Sequence, residues 1–248
     1  MPAKAHDFFE TPPSDTSIWR YMDFTKFVDL LEHEALYFRR SDLYDDRFEG
    51  SVPVQNPAAY RAYMRQVAPQ LPDSVFDTVS ESRRRHRTRI YLNCWHMNEC
   101  ESVAMWQLYT RANEAIAIRS TYQALRDCLP DEPIAHIGKV NYIDYKTSLI
   151  PENNLFWPFL HKRLSFAHEQ ELRAVILHIP RDEHGPTDYP AEMPSGKPIA
   201  VELDRLINAV YISPTAQGWF HDLVRSVVQR YGLSKKVFQS DLNADPVF

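Results

Sequence analysis

Along this chain the apolar positions switch repeatedly between strand-like runs and helical spacing. Ser17–Met22 (SIWRYM) is a mostly apolar run of strand length, and directly after it Asp23 can cap a helix in which Phe24, Phe27, Val28 and Leu31 recur at helical spacing up to His33. A second strand is expected over Ala35–Arg40 (ALYFRR), followed by a polar turn from Ser41 to Gly50. Two helices are expected within 57–87, opened by Pro57 and, after Pro72, by Asp73. Arg89–Trp95 (RIYLNCW) has strong strand propensity. It leads into a helix capped by Asn98, with Glu101, Met105 and Leu108 on one stripe and Ser102, Trp106 and Tyr109 on the next.

In the second half, Glu114–Tyr122 reads as a strand whose Ser120 and Thr121 can cap a helix running to Cys128. A strand over Gly138–Tyr145 and a helix over Asn153–Lys162, across Pro158, come next. Leu164–Leu177 (LSFAHEQELRAVIL) carries the most information. It opens polar and then runs apolar to Ile179 before Pro180, so a buried strand is expected over Glu169–Ile179 with two carboxylates at its entrance. Side chains alternate across a strand, which puts Glu169 and Glu171 on one face and Gln170 on the other. The plainer alternative is a solvated strand edge where these acids pair with Arg173 or Lys162. A loop rich in Pro, Gly and charge, Arg181–Lys197, precedes strands at Ile199–Leu203 and Ala209–Ile212, a helix over Gln217–Tyr231 and a strand over Lys236–Gln239.

Helices and short strands therefore alternate irregularly, with no repeat and no regular βαβ series. That pattern predicts an α+β fold, a single domain over 17–248 with a mixed, mostly antiparallel sheet flanked by helices. Residues 1–16, rich in Pro, Ser, Asp and Thr, read as a flexible lead-in.

Composition removes several function classes. A net charge of −5 leaves no global basic field for holding nucleic acid without sequence preference, so such contacts must be local. Three cysteines, no framework spacing and no apolar signal segment point to a reducing cytoplasm, and no run approaches a membrane span. The six glycines form neither a GxGxxG nor a GxxxxGKS pattern, so a nucleotide would have to be held in another way.

Local clusters offer weaker candidates. Asp42, Asp45, Asp46 and Glu49 crowd one turn without the order of a calcium loop and read as a solvated acidic turn. Arg83, Arg84, Arg85 and Arg87 close the second helix of 57–87, with Arg89 just beyond it. There they complement the helix dipole or contact a protein or nucleic-acid target. Cys94, His96 and Cys100 have the residue types of a metal triad but no fourth ligand at usual spacing, so no metal is expected.

WRYMDFTKFVDLLEHEALYFRRSDLYDDRFEG, CWHMNECESVAMWQLY, AIAIRSTY and KRLSFAHEQELRAVI together resemble a widespread bacterial family of stand-alone proteins known as a domain of unknown function. More distantly, the chain resembles ADP-ribosyltransferases of the arginine, serine, glutamate type. Those enzymes carry an arginine on the first core strand, a serine-threonine pair at the end of a middle strand and a Glu-x-Glu pair at a late strand. Arg20, then Ser120 with Thr121, then Glu169 and Glu171 stand here in that chain order. Tyr122 replaces the usual third residue of the serine motif, and Tyr21 beside Arg20 equally resembles the histidine, tyrosine class. The resemblance implies NAD as substrate, with transfer of ADP-ribose to a macromolecular acceptor or simple NAD hydrolysis, as in a bacterial toxin or phage-defence effector. It implies Arg20, Tyr21 and Thr121 on the dinucleotide, and catalytic roles for Glu171, Glu169 and Ser120. The physics is consistent with those roles: a guanidinium grips pyrophosphate, a carboxylate stabilises an oxocarbenium-like transition state, and Trp106 or Tyr109 offers a flat face to nicotinamide. Glu171 is expected at the ribose, steadied by Ser120, and Glu169 at the acceptor. Two other classes stay open: a non-catalytic binding or regulatory module, and a metal-dependent nuclease built on Asp45, Asp46, Glu49 and the arginine run.

Overall fold

A computed structural model describes residues 6–110, 113–182, 185–186, 193–244 and 246–247. The chain forms β1 (Ser17–Asp23), α1 (Phe24–His33), β2 (Ala35–Arg40), α2 (Asn56–Val67), α3 (Ser74–Arg87), β3 (Ile90–Met97), α4 (Val103–Tyr109), β4 (Ala115–Thr121) and α5 (Tyr122–Cys128). Then follow β5 (Ala135–Lys139), β6 (Asn141–Ile143), β7 (His161–Arg163), β8 (Glu171–Leu177), the two-residue strands β9 (Arg181–Asp182) and β10 (Gly185–Pro186), and β11 (Gly196–Ala200). The chain finishes with α6 (Leu203–Leu206), β12 (Ala209–Ile212), α7 (Gly218–Arg230) and β13 (Val237–Gln239). It is a single-domain α+β fold around a nine-stranded, mainly antiparallel sheet, in which β12 and β13 run parallel. No helix among the described residues is long and apolar enough to cross a membrane.

The sheet's order is β11-β2-β3-β1-β4-β12-β13, with β8 and then β5 added on β3. β3 thus has three partners for two edges. β8 covers one edge from Ile90 to His96, whereas the other edge is divided. Tyr91 and Leu92 pair with β2, and His96 and Met97 pair with β1. Asn93, Cys94 and Trp95 lie between these two pairings, where β1 and β2 splay apart into a fork. Asn93 spans the fork with its side chain: its amide donates to Tyr37 O at 2.9 Å and its Oδ1 accepts from Trp95 Nε1 at 2.7 Å.

One sheet face is closed by α1, α5, α6 and α7 over Ile18, Trp95, Ile118, Leu172 and Val210. Such large apolar side chains contribute roughly 1.5–3 kcal/mol each when fully buried. The opposite face is divided. Phe9, Leu92, Phe159 and Val175 form one small core, and Trp19, Tyr21, Met105 and Trp106 another. Directly paired residues share a face, so Trp19, His96 and Glu171 all belong to this side.

Several local expectations are corrected. The helix expected over Asn153–Lys162 is only a 3-10 turn at Trp157–Phe159 followed by β7, because Pro158 cannot donate to a longer helix. Ser102 rather than Asn98 caps α4. Glu169 ends a 3-10 turn (Leu164–Glu169), and Gln170 adopts the left-handed conformation (φ 40°), so β8 begins only at Glu171. The strand expected over Gly138–Tyr145 is divided between β5 and β6. From residue 6 onward the lead-in is packed: Phe9 is buried, Glu10 O accepts from Lys139 N at 2.8 Å and Thr16 O accepts from Tyr122 N at 3.0 Å. Of the expected 181–197 loop, residues 183–184 and 187–192 lie outside the described residues.

Candidate functional site

A cavity of about 630 Å³ opens at the fork. β1 supplies Arg20 and Tyr21, β2 supplies Tyr37 and Arg39, and β3 supplies Cys94, Trp95 and His96. Tyr109 at the end of α4, with Glu169 and Glu171, completes the polar wall.

Behind the two glutamates lies a buried ionic cluster. Arg173, with no exposed surface, grips Glu49 through two bonds of 2.7 and 2.8 Å and donates to Glu171 Oε2 at 2.6 Å. Its Nη1 also donates to Phe159 O at 2.7 Å. Lys162 donates to Glu171 Oε1 at 2.7 Å and also to Glu169 Oε2. Tyr109 donates to Glu169 Oε1 at 3.0 Å, and Tyr142 Oη accepts from Glu171 N at 2.8 Å. Three carboxylates therefore share two cations.

That imbalance separates the two glutamates electrostatically. Burial opposes the charge of Glu171, but Arg173 and Lys162 outweigh it and hold the carboxyl well below the usual range. At Glu169 burial and the neighbouring Glu171 outweigh Lys162, and the carboxyl is pushed up to about 7. One glutamate is a fixed anion and the other exchanges a proton near neutrality, the separation that acid–base chemistry uses. At Glu49 burial raises the carboxyl in spite of Arg173. Arg173 is nevertheless held well above its usual range, and the two-pronged geometry is that of an ionised pair, so Glu49 is assigned as a carboxylate.

Arg20 differs from these residues. By register it belongs to the face of Ile18 and Met22, yet its electrostatic neighbours are Tyr44 and Cys94, and its guanidinium lies 5.9 Å from the Trp95 ring centre. It makes no ion pair among the described residues, and its buried Nη1 has no hydrogen-bond partner. Burial lowers its pKa, with no carboxylate to offset the cost. Tyr21 Oη accepts from Ser102 N at 2.9 Å, which ties the start of α4 to the cavity wall.

The fold thus brings Arg20, Tyr21, Tyr109, Glu169 and Glu171 onto one cavity and leaves three expected site residues outside it. Ser120 is fully buried on the helix-covered face, where its Oγ donates to Leu206 O, and it reaches neither glutamate. Thr121 caps α5 by accepting from Ala124 N at 3.1 Å. Trp106 packs edge-on against Tyr21 at 5.0 Å and donates to Glu101 Oε2 at 3.0 Å, a core role behind the wall. The cause at Ser120 is register: it sits opposite Ile18, so it faces the main core. The Glu169–Glu171 pair also departs from expectation. The two acids are joined by Lys162 across the turn at Gln170, not by strand alternation, and they are buried.

The charged clusters read from sequence are largely committed to the fold. Glu49 pairs with Arg173, Asp46 with Arg163 at 2.7 Å and Asp42 with Arg40 at 2.6 Å, so the acidic turn is not simply solvated. No group of three or more His, Cys, Asp or Glu among the described residues is arranged to hold a metal ion. Arg83 pairs with Glu152, and Arg85 lies 3.5 Å from Glu81 on the same helix. Arg84 and Arg85 are the exposed members of the run.

His96 lines the cavity and was legible in sequence only as a doubtful metal ligand. Its ring is buried and Nδ1 lies 2.7 Å from Glu169 O. Cys94 lines the cavity too, but burial pushes its thiol up to about 12, which makes it a poor nucleophile at neutral pH. Strand alternation places Cys94 and His96 on one face. Only the pairing of β3 with β8 sets that face beside Glu171 and Arg173. Comparison of the chain with protein-family models, with curated proteins and with solved structures finds no match.

Proposed function

We propose that the protein is an NAD-consuming enzyme of ADP-ribosyltransferase type, which cleaves the nicotinamide glycosidic bond and passes ADP-ribose to a macromolecular acceptor or to water. The observation that carries this reading is the meeting of Arg20, Tyr109, Glu169 and Glu171 on one cavity large enough for a nucleotide portion. Arg20, a half-buried cation without an ion pair among the described residues, suits the pyrophosphate and substitutes for a glycine loop. Tyr21 and Tyr109 supply aromatic surface for the nicotinamide.

The geometry redistributes the work between the glutamates. Both oxygens of Glu171 are occupied by cations, so its charge is already compensated and serves to fix Lys162. Glu169 gains or loses a proton near neutral pH and faces the cavity beside Tyr109, so the charge of the transition state and the proton of the acceptor both fall to it. Ser120 and Thr121 have no part in this scheme. Incubation with NAD, with and without protein or nucleic-acid acceptors, and measurement of released nicotinamide test it; absence of NAD consumption under all conditions refutes it.

A second reading is favoured by the cluster itself. Glu49, Arg173, Glu171, Lys162 and Glu169 form a continuous ionic chain of the kind that specifies a fold, and a non-catalytic module that binds an anionic ligand at Arg20 needs nothing more. Ligand binding without turnover is its signature. The nuclease alternative loses its ligand set, since Asp46 and Glu49 are committed to arginines.

A further inference from the structure

The cavity has a second end, built by β2 and not used by the chemistry of the glutamates. Leu36 and Phe38 of that strand are buried in the main core, so Tyr37 and Arg39, which alternate with them, leave by the opposite face. Arg39 pairs with Leu92, and alternation along β3 sets Leu92, Cys94 and His96 on one face, which the pairing of His96 with Glu171 makes the face of the glutamates. Tyr37 and Arg39 both line the cavity. Both are also open to solvent: Tyr37 keeps 44% of its surface, and Arg39 is exposed.

These two side chains are braced but not consumed by the fold. The Arg39 guanidinium lies 5.5 Å from the Tyr44 ring centre and donates to Leu43 O, and it makes no ion pair among the described residues. Asp42 does not compensate it, since that carboxylate pairs with Arg40. Asp29 also lines the cavity, but it sits on α1, which covers the other face of the sheet, 3.1 Å from His33 Nδ1. The Tyr37 ring lies against Gly196, where a β-carbon would overlap it, and its hydroxyl is 3.4 Å from Ser195 Oγ. An accessible ring and an unpaired guanidinium two residues apart on one strand face, roughly 7 Å, suit an aromatic base and the phosphate of the same nucleotide.

Position along the sheet gives the ligand a direction. Arg39 stands beside Leu92 and Glu171 beside His96, four residues further along β3, a run of roughly 13 Å. Arg20 falls between these levels, because Trp19, the residue before it, pairs with His96. Carboxylates at one end, a guanidinium midway and a cation with an aromatic ring at the other end follow the order of groups in two nucleosides joined through pyrophosphate.

We infer that Tyr37 and Arg39 form a nucleotide subsite, in which the Tyr37 ring stacks on an aromatic base and Arg39 takes an oxygen of the phosphate attached to that nucleoside. The ligand class is a nucleoside 5′-monophosphate, free or as the non-reacting half of a dinucleotide. The inference deepens the proposed function by assigning the end of the substrate remote from the glutamates, and it requires no bond cleavage.

Calorimetric titration of the full chain with AMP, ribose 5-phosphate and adenosine tests it, since AMP carries base and phosphate and each of the other probes lacks one. The wild type is expected to bind AMP about tenfold or more tighter than either. Tyr37→Leu is expected to lose about tenfold in AMP affinity and none in ribose 5-phosphate affinity, while Tyr37→Phe retains the wild-type affinities. Arg39→Gln is expected to weaken AMP and ribose 5-phosphate about tenfold and to leave adenosine unchanged. The substitutions spare the backbone bond that holds β2 at the fork, in which Tyr37 O accepts from Asn93 at 2.9 Å. The inference is overturned if the wild type binds AMP no more tightly than ribose 5-phosphate, if Tyr37→Leu or Arg39→Gln binds AMP as the wild type does, or if Tyr37→Phe loses as much as Tyr37→Leu. Should Tyr37→Leu fail to fold, Arg39→Gln decides, since equal weakening of AMP and adenosine refutes a phosphate contact.

Nicotinamide release reports on cleavage independently. AMP binding with the selective losses in Tyr37→Leu and Arg39→Gln, but without NAD consumption, sustains this inference while the cleavage reading fails. NAD consumption with undiminished AMP affinity in both variants does the reverse.

Discussion

Glu49 and Arg173, 124 residues apart in the chain, meet in a two-pronged ion pair of 2.7 and 2.8 Å, and Arg173 reaches past it to Glu171 at 2.6 Å. A polar turn after β2 is thereby fastened to β8 behind the cavity. Glu49→Gln leaves a buried guanidinium short of one charge, and the expected cost is roughly 3–5 kcal/mol in urea melts. A loss below about 1 kcal/mol would place the pair among connections that the fold does not need.

The titration of Glu169 makes stability depend on pH in a definite direction. Its folded pKa, about 7, lies above the usual 4.5, so between these values the folded protein holds a proton that the unfolded chain has released. Stabilisation from this proton is fully present below about 4.5 and fades as the pH rises through about 7. Wild-type protein should therefore lose stability relative to Glu169→Gln over that interval. Parallel pH dependences of the two proteins in denaturant melts would show that Glu169 does not titrate there.

Activity should follow the same group in the opposite sense, because the proposed chemistry uses the ionised carboxylate. Nicotinamide release should rise with pH and level off above about 7. Glu169→Gln should remove that dependence and lower the rate roughly 100-fold or more. Glu171→Gln should also lower the rate, but with a fall in melting temperature, since Lys162 and Arg173 then lose a shared anion. A Glu171→Gln variant that is inactive yet as stable as wild type would return the leading role to Glu171.

Arg20 should show a trade of stability against function. A half-buried cation with one buried donor left without a partner is costly, so Arg20→Met should raise stability by up to about 1 kcal/mol while weakening NAD binding. Unchanged NAD binding in this variant would remove Arg20 from the site.

The arginine run divides into structural and exposed members. Charge reversal of Arg84 and Arg85 should leave the melting temperature nearly unchanged and, where a polyanionic target is engaged, should flatten the salt dependence of its binding. Arg83→Glu should destabilise, because Arg83 pairs with Glu152. Equal salt slopes for wild type and the Arg84, Arg85 double variant would leave those residues as a charged helix end.

What the sequence determined by itself was local. Apolar spacing and caps marked β1, α1, β2 and β3 to within a residue or two, and the irregular succession of elements was enough for an α+β fold with a mainly antiparallel sheet. It also marked Glu169 and Glu171, because two carboxylates at the entrance of an apolar run are legible without coordinates, whereas Arg20 and Tyr109 stood out only through the resemblance. Tertiary structure decided which of them meet. Ser120 and Arg20 both belong by register to the helix-covered face, yet Ser120 stays in the core while the Arg20 guanidinium reaches the cavity through the fork between β1 and β2. Periodicity cannot reveal such a fork, since it arises from three strands competing for two edges of β3. Nor can spacing show that Lys162, Glu49 and Arg173 neutralise Glu171 and leave Glu169 titratable, because a pKa in a buried cluster is set by charges brought from distant parts of the chain.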